Sequence, residues 1–293
     1  MKERVLLPEK DEPVLVQGIT GKYGSLHTRL MLDYGTNVAA GITPGKAGEA
    51  VEGVPVYDTV REAVATTGAR CSIVFVPAQR FYSAAEEAMR AGVKLLVAIT
   101  ERVPIRDELK LIALAEELGV TMIGPNTPGL IVPEPRFKMG IMPAPCFRPG
   151  RIALFSRSGT LMYEVANQIS SQGFGQCVAL GVGGDPLNGT TLEDCFDWAE
   201  DAEAVDAVVA VGEIGGGAEE ALAKHITQGA ITKPVFAYIA GRSAPKEKKM
   251  GHAGAIIYGD YGTAESKITA LRDAGARVAM TPMEVPALLK RYL

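Results

Sequence analysis

Short apolar runs alternate with longer amphipathic stretches along almost the whole chain. Runs rich in Val, Ile, Leu and Ala predict strands at Val14–Gln17, Asn37–Gly41, Cys71–Val76, Leu95–Ile99 and Thr121–Ile123. A second set follows at Arg151–Phe155, Cys177–Gly181, Ala207–Val211, Val235–Ile239 and Arg277–Ala279. Most of these runs are continuous rather than alternating, as expected of parallel strands covered on both faces. Helical periodicity appears between them, at Ser83–Ala91, Arg106–Leu118 and Ala218–Gln228. This alternation predicts doubly wound α/β architecture. It breaks at Val132–Gly150, which holds five prolines and little periodic pattern. The expected organisation is therefore one α/β domain over residues 1–130, a Pro-rich connection over 131–150 and a second α/β domain over 151–293.

A length of 293 residues agrees with two domains of ordinary size. Hydrophobic residues make up 47% and charged residues 22%, enough apolar material for two cores. A net charge of −4 offers no general attraction for nucleic acid. No apolar stretch approaches the roughly 20 residues of a membrane span. The charged start Met1-Lys2-Glu3-Arg4 has no signal-peptide character. Cys71, Cys146, Cys177 and Cys195 show neither metal-ligand nor disulfide spacing. Reduced thiols in a cytoplasmic setting, with no metal site on this chain, are the expectation.

The first strand runs into Gly18-Ile19-Thr20-Gly21-Lys22-Tyr23-Gly24, with a helix expected from Ser25 to Asp33. A strand, a glycine turn and a helix N-terminus make an anion site, because free amides and the helix dipole point at the ligand. The G-x-x-G-x-x-G spacing departs from the dinucleotide fingerprint G-x-G-x-x-G. The next strand ends in Ile42-Thr43-Pro44-Gly45-Lys46, with a lysine where an NAD site usually has an acid. Lys46 suits a further phosphate on the ribose. Coenzyme A fits this pattern, with NADP as the competitor. Two more turns, Thr100-Glu101-Arg102-Val103-Pro104 and Gly124-Pro125-Asn126-Thr127-Pro128-Gly129, stand at strand ends where such sheets bind ligands.

In the second half, Ser156-Arg157-Ser158-Gly159-Thr160 separates a strand from a helix reaching about Gln172. Hydroxyls and free amides at a helix start make a phosphate cradle at Ser156, Ser158, Gly159 and Thr160. His252 lies in Lys248-Lys249-Met250-Gly251-His252-Ala253-Gly254, where no bulky side chain crowds the ring. A neutral imidazole of this kind can carry a phosphoryl group covalently, or be a buried histidine with its hydrogen bonds satisfied. Glu213, at a strand end before a glycine turn, is the candidate to orient it. His27 is expected to face a bound nucleotide or solvent, and His225 to be solvated on a polar helix face.

The segments VQGITGKYG, GITPGKAG, ITE (residues 99–101), SRSGTL, GGDP, GEIGG and MGHAGAII occur in this order. With them the chain, from about residue 12 to its end, resembles the succinate–CoA ligase (succinyl-CoA synthetase) α subunits. The resemblance implies a Rossmann-like CoA-binding domain followed by a flavodoxin-like domain. It implies CoA contacts at Thr20, Gly21, Lys22, Tyr23, Lys46, Ile99, Thr100 and Glu101. It implies that His252 is phosphorylated in turnover, that Glu213 assists it and that Tyr163 belongs to the organic acid site. ATP or GTP and Mg²⁺ would sit on a β subunit of ATP-grasp fold, in an αβ or α₂β₂ assembly. Arg102 replaces the glycine usual after ITE, Thr127 replaces the cysteine usual in GPNCPG, and Ala144-Pro145-Cys146 departs from GIMPGH. Succinate is the acid the resemblance implies, and these changes keep another dicarboxylic or tricarboxylic acid, such as malate or citrate, as the alternative. A CoA-binding sensor without chemistry would have no use for His252 and Glu213. An NADP-dependent oxidoreductase lacks a convincing acid/base pair.

Overall fold

The computed structural model describes residues 7–8, 11–245, 255–257 and 262–293. It divides into two compact units. One comprises the chain to Ile131, Pro135–Met142 and Leu187–Thr190; the other comprises Val132–Glu134, Pro143–Pro186 and Thr191–Leu293.

The elements of the first unit follow in strict alternation after one hairpin. They are β1 (Val14–Gln17), α1 (Lys22–Tyr34), β2 (Val38–Ile42), β3 (Ala50–Val51), β4 (Val54–Tyr57), α2 (Val60–Thr67) and β5 (Cys71–Val74). Then come α3 (Ala78–Arg90), β6 (Leu95–Ala98), α4 (Ile105–Leu118) and β7 (Thr121–Ile123). The sheet order is β3-β4-β2-β1-β5-β6-β7, parallel except for the β3–β4 hairpin. Every residue of β1, β5 and β6 is buried, which is why their sequences read as unbroken apolar runs. The strand order reverses at β1, between β2 and β5. A crevice therefore opens beyond the carboxyl ends of β1 and β5, where ligands of open α/β sheets bind.

The segment expected to be irregular is partly regular. Strands β8 (Gly129–Val132) and β9 (Phe137–Gly140) are neighbours in a sheet, and the turn between them takes Pro133 and Pro135. Proline is tolerated there because those positions need no ladder N–H. Thr36 Oγ1 ties β9 to the end of α1: it donates to the Lys138 carbonyl at 2.8 Å and accepts from its N–H at 2.9 Å. Leu187–Thr190 also belongs to this unit. Gly189 N–H donates to Gly124 O at 2.9 Å and Thr190 Oγ1 donates to Met122 O at 2.8 Å.

The second unit continues with β10 (Pro149–Ser156), α5 (Gly159–Ser171), β11 (Gln176–Gly181), α6 (Leu192–Asp201), β12 (Ala207–Glu213) and α7 (Ala218–Thr227). It ends with β13 (Val235–Ala240), α8 (Ala264–Asp273), β14 (Arg277–Ala279) and α9 (Val285–Tyr292). Its parallel strands run β14-β13-β12-β10-β11. In order of appearance that is 2-1-3-4-5, the flavodoxin-like winding, which puts the reversal between β10 and β12. All seven residues of β12 are buried. No helix among the described residues is long and apolar enough to cross a membrane.

Candidate functional site

In the first unit the three glycines of the opening turn have separate tasks. Gly18 takes φ 77°, a left-handed conformation that favours glycine. Its carbonyl accepts from Gly21 N–H at 3.0 Å, closing the turn. A Cβ on Gly24 would stand 2.1 Å from that same carbonyl oxygen, so only glycine lets α1 start this close to β1. Helix α1 begins at Lys22, earlier than expected, with Gly21 as an extended cap residue and no side-chain cap. Its first amides are left to a ligand or water. Beyond the strand ends lies a cleft of about 400 Å³, lined by Tyr23, Phe75, Val76, Pro77, Ala78, Gln79 and residues 99–102. That size falls in the range of small-molecule sites.

Of the residues expected to contact CoA, Tyr23, Ile99, Thr100 and Glu101 line this cleft. Thr100 Oγ1 is turned inward, donating to Val76 O at 2.7 Å. Thr20 Oγ1 donates to Thr43 Oγ1 at 3.2 Å, joining the glycine turn to the end of β2. Lys46 is exposed and pairs with Glu49 at 2.8 Å. Its turn is held by Asp58, whose Oδ1 accepts from the amides of Gly45, Lys46 and Ala47 at 2.7, 3.0 and 3.0 Å. Asp58, Phe75 and Gln79 escaped the sequence reading. The strand-end position of Phe75, beside the reversal point, was a usable signal for the last two.

His27 is half-buried on α1. Its ring stacks on Phe75 with centroids 5.6 Å apart and planes 2° from parallel, backing the cleft wall. Burial, with the Lys138 charge as a smaller cause, lowers its pKa from the ordinary 6.5. Arg102 lines the cleft at φ 61°, a left-handed conformation that favours glycine. Its guanidinium is largely exposed, with Glu101 at 3.7 Å. Thr127 is buried, and its Oγ1 accepts from Gly129 N–H at 2.9 Å.

In the second unit, the ends of β10 and β12 carry the other predicted residues. Ser156 is fully buried, and its hydroxyl is committed to the turn. It donates to Ser158 O at 2.7 Å and accepts from Ser158 N–H at 3.0 Å. Ser158 starts α5 without a side-chain cap bond, and Thr160 is exposed in the first turn. The start of α5 therefore presents backbone amides, with the Ser156 hydroxyl bracing the turn beneath them. Glu213 ends β12, 7% exposed. Arg157, buried below the turn that follows, donates from Nη1 to Gly215 O at 2.9 Å. Tyr163, one turn into α5, packs edge-on against Phe147 at 6.4 Å, and burial pushes its hydroxyl pKa up. His225 is not merely solvated: Nε2 lies 2.6 Å from Asp197 Oδ1. His252 lies outside the described residues. No group of three potential metal ligands occurs among the described residues.

The profile of the CoA binding domain family matches residues 9–102, and that of the CoA-ligase family matches residues 155–277. The chain is 50% identical over 288 residues to succinate–CoA ligase (ADP-forming) subunit alpha 2 of Archaeoglobus fulgidus, covering 98% of this chain and 99% of that one. It is 48% identical over 290 residues to the corresponding alpha subunit of Aquifex aeolicus, covering 98% and 94%. Among solved structures, ATP citrate lyase from Methanothrix soehngenii, in complex with citrate and coenzyme A, aligns with a TM-score of 0.88 at 25% identity. That alignment covers 99% of this chain and 52% of the lyase, so this chain spans about half of it. The glycine turn with its cleft, the uncapped start of α5 and Glu213 thus stand in a chain that belongs to the succinate–CoA ligase α-subunit family.

Proposed function

We propose that this chain is the CoA-binding, phosphoryl-carrying subunit of a nucleotide-dependent acid–CoA ligase acting on succinate in the cytoplasm. Its partner is a β subunit of ATP-grasp fold that holds ATP or GTP. The observation that carries the reading is the arrangement at the β10/β12 reversal: an uncapped N-terminus of a 13-residue helix beside a strand-end glutamate. Such a helix start holds a phosphoryl group by dipole and amides without neutralising it.

A carboxylate does not react with a thiol directly, because oxide is a very poor leaving group. His252 solves this by attacking the terminal phosphorus of the nucleotide; an N–P bond forms and the nucleoside diphosphate leaves. Mg²⁺, held with the nucleotide on the partner, would neutralise charge on the phosphates. Glu213 holds the imidazole in the orientation that presents its nucleophilic nitrogen. The acid's carboxylate oxygen then attacks phosphorus, the N–P bond breaks and an acyl phosphate forms against the α5 amides. The CoA thiolate attacks the acyl carbon, and phosphate leaves. Tyr163, one turn into the same helix, is assigned to the acid. Thr20, Gly21, Lys22, Tyr23 and Lys46 hold the CoA phosphates, and Ile99, Thr100 and Glu101 border the cleft.

The test is thioester formation by the chain co-expressed with its β partner, supplied with CoA, ATP or GTP and a panel of acids. Succinyl-CoA as the main product supports the reading. Citryl-CoA as the main product moves the acid to that of the ATP citrate lyase likeness. No nucleotide-dependent thioester from any acid refutes the ligase.

A further inference from the structure

Gly215, Gly216 and Gly217 follow Glu213 after one residue. Gly215 and Gly216 take φ 87° and 60°. Consecutive glycines lose more backbone freedom on ordering than any other residues, so this turn does not hold itself. A buried charge cluster holds it. Lys267 on α8 is fully buried, and its ammonium donates to Gly216 O at 3.1 Å, to Glu220 Oε2 at 2.9 Å and to Glu219 Oε2. These acceptors match its three N–H donors. Glu219, also fully buried, uses its other oxygen twice: Oε1 accepts from Glu213 N–H at 3.2 Å and faces Arg157 Nη1 at 3.7 Å. From the other side, Gly215 N–H donates to Gly262 O at 2.7 Å. Gly262 and the start of α8 receive the chain after the run that contains His252.

Burying two such charges costs several kcal/mol per ion, and apolar residues of equal volume often stabilise a fold as well or better. Stability alone therefore explains the cluster poorly. We propose that the buried Glu219–Lys267 pair is a positioning device for phosphoryl transfer, locking the Glu213 turn in register with the start of α8 and hence with the chain leaving His252. The pair touches no substrate; it acts through Glu213 and Arg157. The inference rests on the phosphohistidine reading above.

The experiment uses the complex with the β partner and labelled ATP in a single turnover. It reads both the rate constant and the final stoichiometry of acid-labile phosphate, with thermal melts alongside. Glu219→Gln and Lys267→Met should slow phosphorylation by about 10²-fold, the scale of a misplacement near 1 Å, yet reach the parent's final stoichiometry and leave the KM for CoA unchanged. Glu219→Asp keeps the charge but shortens its reach; it should fold as the parent does and still slow the step. An unchanged rate constant, or a loss explained wholly by lower stoichiometry, overturns the positioning role. Absence of label on the parent complex is a different failure: it overturns the phosphohistidine reading, and this inference with it.

Discussion

Replacing Gly24 by alanine tests the glycine turn most sharply. The added Cβ would lie 2.1 Å from Gly18 O, 2.9 Å from Gly18 C and 3.0 Å from Ile19 Cα. All three are backbone atoms, so no side chain can rotate away. Restoring even a tight 3.0 Å contact with the oxygen requires α1 to retreat by about 0.9 Å. Overpacking of this kind costs about 1–3 kcal/mol. Alanine regains about 1 kcal/mol over glycine within a helix. The net loss of stability is then about 0–2 kcal/mol, or a few degrees in Tm. Binding suffers more, because the retreating amides are those that face the phosphates; a shift near 1 Å can cost about 10²-fold. Calorimetric titration of CoA into the complex, with thermal melts, separates the two effects. Gly92→Ala supplies the opposite pattern. It forces alanine to φ 103° with nothing within 4 Å of its Cβ, so it lowers stability and leaves CoA affinity alone. If Gly24→Ala binds CoA as tightly as the parent, the assignment of this turn to the CoA phosphates is wrong.

Asp58→Ala frees the amides of Gly45, Lys46 and Ala47 and should raise the KM for CoA more than that for 3′-dephospho-CoA; an equal rise would dissociate Lys46 from the 3′-phosphate. Arg102→Gly and Arg102→Ala both remove the guanidinium, but only alanine keeps a Cβ at φ 61°. The glycine variant should therefore be the more stable in urea by about 1 kcal/mol, and equal midpoints would contradict the strain. Burial pushes the Cys71 thiol up to about 12, whereas the unfolded chain loses that proton near the ordinary 9. The unfolded state then binds fewer protons between pH 9 and 12, so stability falls as pH rises through that window. Denaturation at pH 8 and above pH 10 should show a smaller decline for Cys71→Ala, and parallel declines would count against the buried thiol.

The strands were legible because both faces of each sheet are covered, which leaves apolar runs such as Val14–Gln17 and Ala207–Val211. The β3–β4 hairpin was not, since two residues of one strand and Pro55 in the other carry no periodic signal. Helix α2 is marked only by its cap: Thr59 accepts from Glu62 N–H at 3.2 Å in the spacing of a capping box. Strands β8 and β9 were masked by the prolines of their own turn. The strand-end position of Glu213 was legible because the apolar run of β12 stops there, before the glycines of the next turn. The Arg157, Glu219 and Lys267 cluster was not, because α7–α8 packing brings together residues far apart in sequence. Ser156 was expected to present its hydroxyl to a phosphate; it is buried against Ser158 and Val211 instead. No local pattern distinguishes a bracing serine from a binding one.

Whether this chain carries a phosphoryl group decides between a ligase subunit and any other reading of the fold. The direct measurement is incubation of the αβ complex with labelled ATP or GTP, followed by acid and alkaline treatment and mapping of the labelled peptide. The expected result is acid-labile, alkali-stable phosphate on the peptide containing His252, lost in His252→Asn and discharged by the acid substrate together with CoA. Label that survives His252→Asn, or no label with either nucleotide, would contradict it.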